Sequence, residues 1–178
     1  MKNLVLIGGL VLIVGIMIGC GKTQTDATSQ VDNPINGSSF LLASEPEGGL
    51  GVKAARESVQ DNDKVVVVGR IGGGLNPWVD ERAAFQIVDP SLLACSDDKE
   101  EGESCSCKTP WDYCCETDKL PTAMALVQFS DDSGSVIKQD ARSLFNLAEL
   151  QTVVVRGIAK RDDAGNLTIM ADGLYVKK

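Results

Sequence analysis

The sequence predicts a mainly β domain: a five-stranded Greek-key barrel with one helix between its third and fourth strands and a cysteine-rich insertion between its second and third. Three observations carry that reading. Short β-branched or alternating apolar runs recur from Lys64 onward, each closed by Gly, Pro, Asp or Asn. One helical stripe, Leu144, Leu147 and Leu150, stands between the third and fourth runs. Residues 90–121 then break the strand rhythm and hold five of the six cysteines.

Taken in order, Val65–Val68 is a continuous β-branched run ended by Gly69, the first strand. In the second, Ala83, Phe85 and Ile87 alternate with Ala84, Gln86 and Val88, and Asp89-Pro90 stops it. Ala123, Ala125, Val127 and Phe129 supply one face of the third, and SDDSG (130–134) turns the chain. Asp140 is a good N-cap for ARSLFNLAEL, 141–150, the predicted helix. Val153 and Val155 open the fourth strand, which runs into Gly157. Asp162 to Asn166 make a hairpin turn before Leu167, Ile169 and Ala171 of the fifth. Upstream, 45–63 opens with a turn and places Val52, Ala55 and Val59 at helical spacing, which predicts one short amphipathic helix.

The N-terminus is of another kind. Lys2 is followed by an apolar run from Leu4 to Ile18, fifteen residues long. That is short of the roughly 20 residues that span a bilayer core, and a short run behind a basic start reads as an export signal. The run ends in Met17-Ile18-Gly19-Cys20, which resembles the lipobox of bacterial lipoproteins. The resemblance implies cleavage after residue 19, lipidation of Cys20, and a chain held to a bacterial membrane facing periplasm or exterior. Loss of 1–19 removes Lys2 alone and takes the formal charge from −8 to −9. So acidic a body repels nucleic-acid phosphates and disfavours that class of partner. Residues 20–44, rich in Thr, Ser, Gln and Asn, read as a flexible tether, interrupted by Phe40-Leu41-Leu42, which can dock on the domain.

The strand order, with its single helix after the third strand, matches the barrel called the OB-fold. KVVVVGRIG, AAFQIVD and TVVVRGIAKRDDAGNLTIMADGLYV resemble OB-fold domains of the tRNA-anticodon-binding-like group and small exported bacterial OB-fold proteins. The resemblance covers 64–178 apart from 90–121. It implies ligand contact on the face of the second and third strands and on two loops, Ile71–Arg82 and Lys160–Gly165. Carried over, the candidate contacts are Trp78 and Arg82 in the first loop, and Lys160 and Arg161 in the second. Arg82 is accompanied by Asp80-Glu81 and the Lys160-Arg161 pair by Asp162-Asp163, unlike the cationic stacking grooves of nucleic-acid binders.

In the insertion, Cys95, Cys105, Cys107, Cys114 and Cys115 are spaced C-x₉-C-x-C-x₆-C-C. An exported chain meets an oxidising medium, so disulfides are the first reading: two bridges and one thiol over, with fifteen connectivities open. Because neighbouring cysteines rarely bond to each other, Cys114 and Cys115 are expected to point opposite ways. The acidic stretch SDDKEEGES makes no core, and the insertion is expected to take its shape from sulfur links alone. Trp111 and Tyr113 are expected to pack beneath it and shield the sulfurs, with Trp111 a further candidate ligand contact. The alternative is a thiolate site for zinc or copper, sulfur-rich because the chain has no histidine. A thiol redox role ranks third, since no C-x-x-C is present.

The absence of histidine from the sequence removes Ser-His-Asp and Cys-His nucleophilic systems. Gly69–Gly74 lacks the lysine of a phosphate loop and leads to Pro77 rather than to a helix. The expectation is a non-catalytic envelope module without a cofactor, binding an envelope protein, a glycan or a small ligand.

Overall fold

The structure, a computed structural model, describes residues 35–97 and 109–178. The export signal, Cys20, most of the tether, Cys105 and Cys107 lie outside the described residues. Among those described, no helix is long and apolar enough to cross a membrane.

The chain is mainly β and closes a five-stranded barrel. The strands are β1 (Leu50–Gly51), β2 (Lys64–Ile71), β3 (Ala84–Val88), β4 (Met124–Phe129), β5 (Thr152–Arg161) and β6 (Leu167–Val176). The sheet runs β1-β2-β3-β4-β6-β5, and β2 pairs again with β5 to shut the ring, leaving the two-residue β1 outside it. Around the ring all pairs are antiparallel except β4 with β6. Closure leaves no open edge within the ring, which removes the template for intermolecular pairing.

Alternation decides which side chains fill the interior. Val65, Val67, Gly69 and Ile71 of β2 are buried, and so are Ala125, Val127 and Phe129 of β4. They meet Phe85, Ile87, Val155, Ile169 and Leu174 in one core. Gly157 marks a bulge between β5 and β6: a Cβ there would fall 2.2 Å from the Met170 carbonyl oxygen, so no larger residue fits.

Both ends of β4 are covered. At its Phe129 end a 3₁₀ turn, Gly37–Phe40, sets the Phe40 ring edge-on to Phe129, with centroids 5.2 Å apart. Leu42 N–H donates to the Leu174 carbonyl at 2.8 Å, so the apolar triplet of the tether is seated on the barrel. At the other end helix α1 (Val52–Ser58) buries Val52 and Ala55 in the main core. It begins after Gly51, which has no side chain to cap it. Asp89, directly after β3, does so instead: its carboxylate accepts from Lys53 N–H at 2.8 Å and from Ser91 N–H at 3.0 Å.

Two short helices follow, α2 (Leu120–Ala123) and α3 (Ala141–Phe145). Asp140 caps α3 as expected, accepting from Arg142 N–H at 2.9 Å. The helix stops well before the predicted residue 150, because Asn146 takes the left-handed conformation and ends it. Phe145 and Leu147 are buried nonetheless, and Leu150 N–H turns back to the Ile71 carbonyl at 2.8 Å. The apolar spacing of this stretch thus reports burial, while a single αL residue sets the helix length.

Candidate functional site: the cysteine insertion and its loops

The insertion leaves β3 at Asp89 and rejoins the barrel at β4. It does not rely on sulfur alone. Leu92, Ala94, Tyr113 and Ala123 are buried together with Val88, whose side chain lies on the outer face of β3. This second apolar cluster overturns the expectation of an insertion without a hydrophobic interior. Its source is legible in hindsight: Val88 is apolar on the strand face that an uncovered barrel would leave to water.

Further contacts hold the described flanks in register. Cys95 N–H donates to the Asp112 carbonyl at 2.8 Å and Ser96 N–H to the Pro110 carbonyl at 3.0 Å. Arg70, near the end of β2, reaches the Leu150 carbonyl through Nε at 3.1 Å and forms an ion pair with Asp97. Asp97 also accepts from Ala94 N–H at 3.0 Å, tightening the turn that carries Cys95. The hydrogen bond from Arg70 holds the Asp97 carboxyl below its usual value, against the opposing effect of burial. Tyr113 is fully buried beneath Gly72, where a Cβ would sit 2.8 Å from the ring. Burial pushes its phenol up to about 12, and its hydroxyl has no hydrogen-bond partner among the described residues. Gly72 therefore serves a close packing contact inside the glycine run.

The sulfurs converge. Cys95 Sγ and Cys114 Sγ lie 3.0 Å apart, and Cys114 Sγ and Cys115 Sγ 3.9 Å. No pair among the described residues is at the bonded distance of about 2.05 Å. The expectation that Cys114 and Cys115 point opposite ways fails here, because their sulfurs stand on the same side. Cys95 is buried while Cys114 and Cys115 are exposed, so the group opens to solvent at one edge. Among the described residues no set of three or more His, Cys, Asp or Glu is arranged to hold a metal ion.

The carried-over contact residues divide. Trp78 is 5% exposed, and its ring lies 5.8 Å from Phe85 with the Arg142 guanidinium 5.6 Å from its centroid. Its Nε1–H donates to Glu149 at 2.7 Å. The first loop folds back on β3 through a Trp78–Phe85 bridge, so this tryptophan belongs to the core and offers no open stacking face. Arg82 borders an open hollow in which Asp80, Glu81 and Asp140 face Arg82, Lys138 and Arg142, an even balance of charge. Trp111 is half-buried and donates from Nε1 to the Leu75 carbonyl at 3.2 Å, joining insertion to loop. Lys160 is engaged by Asn62. Arg161 closes the C-terminal end of α1, donating to the carbonyls of Ala55 (3.3 Å), Arg56 and Val59 (2.9 Å).

Sequence reasoning missed Arg70, Asp97 and Asp89, which knit these segments together. Their partners are 27 to 80 residues away along the chain, beyond any local spacing rule. Leu75 is 72% exposed at the tip of the first loop, and Val79 and Leu93 are exposed as well. No family model, curated protein or solved structure matches the chain.

Proposed function

We propose that this chain is a non-catalytic binding module of the bacterial envelope, tethered through a lipid on Cys20. On this reading the barrel is of the OB type: its ring order and the parallel pairing of β4 with β6 agree with that Greek key, as does α3 between β4 and β5. The observation that carries the binding role is the union of the insertion with the Ile71–Arg82 loop through Trp111–Leu75 and Arg70–Asp97. It makes one continuous surface from two chain segments and leaves Leu75 and Val79 exposed on it. The partner is an envelope protein, a glycan or a small ligand; an acidic surface speaks against nucleic acid.

Cys95 and Cys114 form a disulfide in this reading, because their sulfurs need close by only about 1 Å to bond. The two electrons and two protons released pass to a thiol oxidant of the exported compartment. A second reading is favoured by the common side of Cys114 and Cys115. Their 3.9 Å separation is close to the edge of a tetrahedral thiolate site, about 3.8 Å for metal–sulfur bonds of about 2.3 Å. Thiol titration of denatured, metal-free protein, paired with elemental analysis of the native protein, separates the two. The disulfide reading, two bridges and one thiol over, expects about one titratable thiol among the five in the insertion. Five thiols with stoichiometric zinc or copper sink it. For the anchor, metabolic labelling with a fatty acid is expected to mark the chain and to fail in Cys20→Ala.

A further inference from the structure

On the far side of α1 from the main core lies a cleft of about 550 Å³, lined by Lys53, Arg56, Glu57, Lys119, Thr122 and Arg161. Four of the six are cations and one is an acid, in a chain whose formal charge is −8. The cations come from three places, α1, the approach to α2 and the end of β5, so the fold assembles the cluster.

The two arginines are side by side and partly buried. Arg161 spends its donors on the carbonyls of Ala55, Arg56, Val59 and Gly165. Arg56 donates to the Met124 carbonyl at 3.0 Å and the Gly165 carbonyl at 3.2 Å, two of the five N–H groups a guanidinium carries. Neither arginine is in an ion pair among the described residues. Burial lowers the Arg56 guanidinium from its ordinary value and the Arg161 charge lowers it further, a repulsion only partly offset by Asp162. Lys53 donates to Ser91 Oγ at 2.9 Å and Lys119 pairs with Glu116 at 2.5 Å, and an ammonium has three donors. Like charges gathered in a partly desolvated cleft are stabilised by a counter-anion that several of them share.

We infer that this cleft binds a small phosphate-bearing anion, with Arg56 as its forked donor and Lys53 and Lys119 as the flanking charges. Arg161 holds α1 in place and adds to the field. The inference is independent of the sulfur chemistry and of the Ile71–Arg82 loop, since it uses none of their residues; Lys119 comes from the C-terminal flank of the insertion.

The experiment is titration of the full chain in detergent with inorganic phosphate at constant ionic strength, chloride replacing phosphate in the control, followed by calorimetry. Saturable binding is expected, weakened at least about tenfold when both lysines are lost in K53A/K119A, and restored in part by K53R/K119R. Both lysines are surface residues, and equal melting temperatures for the variants and the parent show that the fold is kept. No saturable binding, or equal binding by K53A/K119A, overturns the inference. Vesicles of phosphatidylglycerol with phosphatidylcholine identify the source. Binding in excess of that to phosphatidylcholine alone, which cancels insertion of the Cys20 lipid, assigns a lipid headgroup when it is lost in K53A/K119A; a phosphate response without that excess assigns a soluble phosphate ester, and both uphold the anion site.

Discussion

The barrel and the segment that interrupts it between β3 and β4 are held by different forces. In the barrel, Val65, Val67, Phe85, Val127, Phe129 and Ile169 are buried side by side, and every strand of the ring has two hydrogen-bonded neighbours. Its stability is spread over many contacts of one kind. The described flanks of the insertion are joined to each other and to β2 by a cluster of a few side chains, the Cys95–Asp112 and Ser96–Pro110 backbone hydrogen bonds, the Arg70–Asp97 ion pair and a group of sulfurs. Each of those ties answers to a different condition: packing, pH or redox state. The expectation is that acid or reductant loosens this segment before it affects the barrel.

The comparison can be broken at several points. The largest effect is expected from Phe129→Ala in the barrel, where the ring meets Phe40, Phe85 and Phe145. A loss of about 3–5 kcal/mol in chemical denaturation is expected, with all regions unfolding together. A loss below about 1 kcal/mol would mean that the end of the barrel is not the shared core described here.

Reductant is expected to act on the insertion alone. If Cys95 and Cys114 are bonded, opening the loop between them removes about 3 kcal/mol from that segment. Limited proteolysis should then cut within the insertion much faster, while the barrel fragment stays intact. Unchanged cutting rates would count against the bridge.

Asp89 joins the two regions, since it follows β3 and caps α1. Asp89→Ala is expected to cost about 1–2 kcal/mol, and Asp89→Asn less, because the amide oxygen can still accept from Lys53 N–H. Equal losses would show that charge rather than capping matters at this position.

Acid should loosen the insertion before the barrel. The Asp97 carboxyl is held below its usual value chiefly by Arg70, so its contribution is complete above the ordinary carboxylate range and is lost as pH falls through the lowered value. Amide exchange at Ala94 and Asp97 is expected to rise on that descent, and Asp97→Asn should remove the pH dependence.

The smallest change is expected from Tyr113→Phe. It deletes a buried hydroxyl without a partner among the described residues, so stability should stay within about 1 kcal/mol or improve. A larger loss would reveal a partner that the hydroxyl meets in solution.

The five ring strands and the capping role of Asp140 were legible before any coordinates, because each rests on neighbours a few residues apart; the two-residue β1, α2 and the 3₁₀ turn were not. Alternation named Ala125, Val127 and Phe129 as the inward face correctly, whereas Ala123, read with them, ends α2 and packs in the second cluster. The Asp162–Asn166 turn required only the local preferences of Asp, Gly and Asn. The candidate site was read less well. Trp78 was a candidate ligand contact, since an aromatic beside glycines in a loop has no visible partner in sequence; its partners, Phe85 and Glu149, are supplied by the fold. Arg161, another candidate contact, also closes a helix more than 100 residues upstream, a role no local spacing announces.

What the sequence by itself determined is the mainly β character, the order of the elements and the chemistry available: five clustered cysteines, no histidine and an acidic body. These follow from composition and from short-range periodicity, which one-dimensional order retains. Only the tertiary structure decided that β2 meets β5, that Val88 faces a second apolar cluster, and that four cations from distant segments share one cleft. Closing the barrel is what brings these residues together, and contacts made across such separations leave no local spacing to read.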